Sequence, residues 1–162
     1  MILLFLLQGS AGKAMIPIRV ALADDHQAIR IGVRSMLEKA PDIVVVGEAN
    51  DGAGALRLVA ELAPDILLLD VEMPGMTGIE VAQWLQASGS PVRVLALSAY
   101  DDQQYIAGLL ASGAAGYLVK DEALEMIVDA VRGVARGEQG WLSARLSSRV
   151  GSEARDVRES LG

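Results

Sequence analysis

Cysteine is absent from all 162 residues, which excludes a disulfide framework, a thiolate metal site and a cysteine nucleophile. Histidine is almost absent: His26 stands alone, too few for a multi-histidine zinc cluster. Basic side chains are scarce, 14 against 21 acids for a net charge of −7. Affinity for phosphate backbones comes from clustered Lys and Arg, so this chain by itself is a poor nucleic-acid binder. Long apolar runs are missing too. The N-terminal MILLFLL stretch falls far short of the roughly 20 residues that span a bilayer, and it lacks the basic flank of a signal peptide. No membrane partner is expected, and the expected compartment is the cytoplasm. Met15 stands just before the first strand-like run, so residues 1–14 read as an extension outside the fold.

Apolar residues make up 52% of the chain and charged ones 22%, enough for a packed core in one domain plus a short appendage. From Ile18 onward, short β-branched runs alternate with stretches of helical period, the pattern of βα units around a parallel sheet with helices on both faces. Five strands are expected, at 18–23, 43–48, 66–70, 92–97 and 116–119. Helices are expected near 27–39, 52–62, 77–87, 102–111 and 123–136. Ala40-Pro41-Asp42, Ala63-Pro64-Asp65 and Ser90-Pro91 punctuate the approach to a strand. After Arg136 the composition turns to Ser, Gly and Arg with no further strand signal, so 15–138 reads as the domain and 139–162 as a linker.

Open parallel sheets bind ligands at the carboxyl ends of their strands. Here those ends read IRVALADD into Asp24 and Asp25, ILLLD into Asp70, VLALS into Ser98 and GYLVK into Lys120. Three carboxylates, a hydroxyl and an amine are thus expected on one edge. Three acids packed together repel one another unless a cation joins them, and a hard divalent ion with oxygen ligands fits best: Mg2+, with Mn2+ as the alternative. With that ion and Lys120 supplying positive charge, one carboxylate can attack a phosphoryl group and form an acyl phosphate.

The motifs LADDH, LLLDVEMPGMTG, LALSA and GYLVKD, in that order across five βα units, closely resemble the receiver domain of bacterial two-component response regulators. The resemblance covers about residues 17–138. It implies a doubly wound, flavodoxin-like sheet of order 2-1-3-4-5 with Asp70 as phosphoacceptor. It further implies a metal set of Asp24, Asp25, Asp70 and the backbone carbonyl of Glu72, phosphoryl contacts from Ser98 and Lys120, and a switch formed by Ser98 and Tyr117. The implied partner is a sensor histidine kinase. A homodimer through the first or last helix, or through the face of the fourth helix, fifth strand and fifth helix, is also implied. IRVALADDH, GAAGYLVKD and the later WLS resemble the LuxR/NarL (FixJ) type of transcription regulator. Such regulators contact DNA through a helix-turn-helix domain, which 162 residues do not reach; an excised receiver with its linker, or a stand-alone form, is expected. Lys120 is followed by Asp121 where many receivers carry proline.

Blander readings compete. Asp24 and Asp25 suit a helix N-cap, Lys120 an exposed lysine, Ser98 an ordinary strand end and Tyr117 a packing residue; the ordered set of motifs favours the site. His26 is assigned no chemistry. Leu124, Ile127, Val128 and Val131 have core spacing. GSAGKA and DGAGALR lack the residues of a phosphate loop and of a dinucleotide fingerprint. A metal-dependent phosphatase using Asp70, with Glu72 as acid, is a second hypothesis, weakened by loops too short for a substrate cap. A phosphorylation-independent interaction module is a third.

Overall fold

The computed structural model describes residues 16–99 and 103–142. The expected extension 1–14 and the linker beyond residue 142 lie outside the described residues. The chain runs β1 (Ile18–Ala23), α1 (Gln27–Glu38), β2 (Ile43–Ala49), α2 (Gly52–Leu62), β3 (Ile66–Asp70), α3 (Gly78–Ala87), β4 (Arg93–Ser98), α4 (Gln103–Ala111), β5 (Gly116–Val119), α5 (Lys120–Ala135) and β6 (Trp141–Leu142). Every strand pair is parallel, in the order β2-β1-β3-β4-β5-β6.

β3 shows why both faces need helices: all five of its residues are buried. Successive side chains point to opposite faces, so Leu67 and Leu69 join Ala55 of α2, Val81 and Leu85 of α3 and Leu109 of α4 in one apolar cluster. Ile66 and Leu68 pack on the other face with Val33 and Leu37 of α1 and Ile127 and Val131 of α5. The sheet is thereby sandwiched, and its carboxyl edge is the rim where side chains can serve chemistry. Among the described residues no helix is long and apolar enough to cross a membrane.

The sheet has six strands where five were expected. Two residues cannot produce a periodic signal, so β6 is visible only through its packing. A Cβ on Gly133 would lie 2.4 Å from the Trp141 ring, and one on Gly116 would lie 2.5 Å from Trp141 Cβ. Those two glycines open the slot that Trp141 fills. Helix α5 begins at Lys120, three residues earlier than expected at 123. Asp121 follows Lys120 without a proline, and Asp121 and Glu122 in the first turn favour the positive end of the helix dipole. Ser98 lies inside β4, one residue past the expected end.

Two side-chain anchors fix the amino-terminal edge. Arg132 of α5 grips Asp42 with Nε to Oδ2 at 2.9 Å and Nη2 to Oδ1 at 2.8 Å, and this guanidinium holds the Asp42 carboxyl below the usual range. Arg93 Nη1 donates to the carbonyls of Val134 and Ala135 at 2.6 and 2.9 Å, satisfying acceptors that the end of α5 leaves open.

Candidate functional site: an acid cluster at the carboxyl edge

β1 and β3 are hydrogen-bonded neighbours, Asp70 ends β3 and Asp24 directly follows β1, so sheet topology alone brings the two together. Asp70 is only 1% exposed and Asp24 4%; the Asp25 side chain, one residue on, is 32% exposed. The turn after β1 is organised by Asp24, whose Oδ1 accepts from the His26 backbone N–H at 2.8 Å while its carbonyl accepts from Arg30 Nη1. The N-cap of α1 is His26, with no side-chain cap bond; neither aspartate is spent on capping.

The turn after β3 is tight. Gly78 N donates to the Val71 carbonyl at 2.9 Å, and a Cβ there would stand 2.5 Å from the Asp70 carbonyl oxygen, so α3 starts hard against the end of β3. Thr77 caps it, Oγ1 accepting from Glu80 N at 3.2 Å. Glu72 contributes its backbone N–H, which donates to Asp70 Oδ1 at 3.1 Å; its side chain is exposed.

Lys120, the first residue of α5, closes the site directly after β5. Its Nζ lies 3.0 Å from Asp24 Oδ2 and 3.3 Å from Asp70 Oδ2, with the side chain only 7% exposed. These are ion pairs without aligned hydrogen bonds: both carboxylate oxygens are buried and accept none. Burial pushes the Asp70 carboxyl up to about 7, with the neighbouring Asp24 charge adding to the rise; the Glu72 N–H and the Lys120 ammonium pull the other way. Two buried, underserved carboxylate oxygens beside a third acid fit a cation with oxygen ligands.

Ser98 is fully buried at the end of β4, in register with Val119, the residue before Lys120. Tyr117 is fully buried as well, in register with Ala96 and, on the other side, Leu142. It belongs to the apolar cluster under α2, α3 and α4, two residues back from the rim. The structure therefore gathers Asp24, Asp25, Asp70 and Lys120 at one point, with Ser98 at the adjacent strand end and Tyr117 deeper. It also adds a residue to which sequence reasoning gave no role. His26 Nδ1 lies 3.1 Å from Asp24 Oδ1, 3.0 Å from Asp25 Oδ1 and 3.2 Å from Lys120 Nζ. Its adjacency to two aspartates was the only available signal.

The model of the response regulator receiver domain matches residues 20–132. The chain belongs to this family. Among curated relatives, this receiver is 37% identical over 143 residues to the transcriptional regulatory protein LiaR of Bacillus subtilis, an alignment covering 88% of this chain and 67% of that one. It is 38% identical over 120 residues to the transcriptional regulatory protein DegU of Brevibacillus brevis, covering 74% and 51%. The chain thus spans about half to two thirds of the length of these relatives. A solved signal receiver domain of a response regulator named NarL from Mycobacterium tuberculosis superposes with a TM-score of 0.73 at 43% identity, covering 76% of this chain and 99% of that one. The receiver assignment carries a signalling role, and the parallel sheet wrapped by helices is the fold these relatives share.

Proposed function

We propose that this receiver is switched by phosphorylation of Asp70, with a sensor histidine kinase's phosphohistidine as donor. The observation that carries this reading is the meeting of a buried carboxylate, a second buried carboxylate and a lysine ammonium at the carboxyl ends of β3, β1 and β5. An Asp70 oxygen attacks phosphorus; the O–P bond forms as the donor's P–N bond breaks, its electron pair returning to the imidazole nitrogen. Asp70 must be ionised to attack. Lys120, 3.3 Å away, favours the carboxylate against the burial and the Asp24 charge that hold its proton on. The same ammonium neutralises one oxygen of the transferred group, and the Ser98 hydroxyl, with nearby backbone N–H groups, receives another. Attack of water on phosphorus reverses the modification, releasing inorganic phosphate and restoring the carboxylate.

Asp24, Asp25, Asp70 and the Glu72 carbonyl would hold Mg2+, or Mn2+ in its place. A bound divalent ion supplies the positive charge that lets three carboxylates and a phosphoryl group share one site. In the switched state Ser98 is drawn toward the phosphoryl group, Tyr117 repacks and the face of α4, β5 and α5 is redistributed between two conformations. The output is a change of partner or self-contact, through α1 and α5 or through the α4–β5–α5 face. By likeness to the transcriptional regulatory proteins above, it would control DNA binding by a separate domain, in the cytoplasm.

Intact mass spectrometry after incubation with Mg2+ and acetyl phosphate tests the chemistry. One phosphoryl adduct that requires Mg2+ and is lost in Asp70→Asn is the expected result. Donor hydrolysis without an adduct would replace the switch with a metal-dependent hydrolase. Neither adduct nor ion binding would leave an interaction module.

A further inference from the structure

The imidazole of His26 faces more polar groups than hydrogen bonding can use. A ring nitrogen carries one proton or one lone pair, yet Nδ1 has Asp25 Oδ1 at 3.0 Å, Asp24 Oδ1 at 3.1 Å, Asp70 Oδ2 at 3.7 Å and Lys120 Nζ at 3.2 Å. Leaving the ammonium aside, three carboxylate oxygens around one nitrogen are spaced as the ligands of one ion would be. An octahedral ion with bonds of about 2.1 Å spaces adjacent donors about 3.0 Å apart and opposite donors about 4.2 Å apart. The distances to Asp25 and Asp24 match the adjacent spacing, and the 3.7 Å to Asp70 Oδ2 falls between the two spacings. One ligand atom each from Asp24, Asp25, His26 and Asp70 lies within 4.8 Å of all the others. Within this cluster, Asp70 Oδ2 is buried on a residue 1% exposed and accepts no aligned hydrogen bond, with the Lys120 ammonium 3.3 Å away as its ion-pair partner.

We propose that His26 Nδ1 is a ligand of the cation in this site, and that its nitrogen makes the site select first-row transition ions, Mn2+ among them, over Mg2+. The inference rests on the reading of the acid cluster as a cation site. Mg2+ favours an all-oxygen shell, whereas imidazole donors suit transition ions, whose affinities rise along the series from Mn2+. In the ion-bound form the ring proton sits on Nε2 and the Nδ1 lone pair is given to the cation that the carboxylates share. The ring is 57% exposed, so turning it to meet an incoming ion disturbs no core packing. The Lys120 ammonium, 3.0 Å from Asp24 Oδ2, is the positive charge that holds these oxygens together before the ion arrives.

His26 is the single histidine of the 162 residues, so any imidazole signal from this chain without a tag reports that residue. The experiment is electron spin echo modulation of the Mn2+ complex, beside calorimetric titrations with Mn2+ and with Mg2+, on wild type and His26→Ala. The expected result is coupling to one imidazole nitrogen that His26→Ala abolishes. Mn2+ affinity should fall about tenfold in the variant, with Mg2+ affinity changed by about twofold or less. Mn2+ bound to wild type without nitrogen coupling overturns the proposal and leaves the cation site standing. Parallel loss of both ions in His26→Ala overturns the selectivity and makes His26 a positioning residue for Asp25. Binding of neither ion to wild type overturns the proposal together with the cation site itself. The wild-type spectrum decides the ligand question even where the variant is poorly folded.

Discussion

Replacing Asp70 with asparagine should stabilise the ion-free protein, although it removes the proposed phosphoacceptor. Burial and the Asp24 charge raise the Asp70 carboxyl from 3.8 to about 7, so the folded protein holds a proton that the unfolded chain releases near pH 4. The sign follows from proton linkage: between those values the unfolded state binds fewer protons, and stability falls as pH rises until the folded carboxyl has also ionised. About 3 pH units at roughly 1.4 kcal/mol each place the accumulated loss on the order of 4 kcal/mol above pH 7. Asparagine keeps an acceptor for the Glu72 N–H at 3.1 Å and carries no charge, so Asp70→Asn avoids that loss. At pH 8 in chelator the variant should melt about 10 °C higher, at 2–4 °C per kcal/mol for a domain of this size. The gap should narrow below pH 7 and close near pH 4. Added Mg2+ should narrow it at pH 8 as well, because an ion bound only by the folded state stabilises the protein that binds it more tightly. Calorimetric melts at pH 4, 6 and 8, with and without Mg2+, provide the assay. A variant less stable than wild type at pH 8, or a gap that ignores pH, would refute the electrostatic account of Asp70.

Other expectations concern the frame around the site. Asp42 is held below its usual range by Arg132, so its contribution is present above the unfolded value near 3.9 and fades as pH falls through the lower folded value. Asp42→Asn should therefore lower the melting temperature at pH 7 and match wild type in strong acid, read by circular dichroism. Gly133→Ala puts a methyl group 2.4 Å from the Trp141 ring. It should cost about 2 kcal/mol as overpacking in urea titrations, despite the better helix propensity of alanine. Trp141→Ala in the same chain should recover most of that loss, and full additivity of the two changes would argue against the contact. Thr77→Ala removes the cap on Glu80 N and should cost about 1 kcal/mol, measured by the same titration.

Much of this molecule was legible in its sequence because its signals are periodic and its punctuation is chemical. The run ILLLD, with no polar alternation, announced a strand buried on both faces, and all five residues are buried. Acids at the ends of β1 and β3 met because those strands are neighbours, a consequence of βα winding rather than of any contact visible along the chain. What stayed hidden depends on single side chains. β6 exists because Gly116 and Gly133 make room for an indole, a complementarity with no period. The early start of α5 depends on two acids at the positive end of a helix. The His26 ring is directed by the turn that Asp24 organises through the His26 N–H, and a rotamer leaves no mark in a sequence.

β6 also sets a direction. It runs parallel to β5, with Tyr117 opposite Leu142, so the backbone reaches Leu142 travelling toward the rim that carries Asp70 and Lys120. A sheet of this winding would otherwise finish with α5 at the opposite, amino-terminal edge, where Arg93 clasps the last carbonyls of that helix. The short strand turns the traffic round. Leu142 thus stands one strand's width from Tyr117, about 4.8 Å, a single backbone ladder from the strand that leads into Lys120 and three ladders from Asp70 on β3.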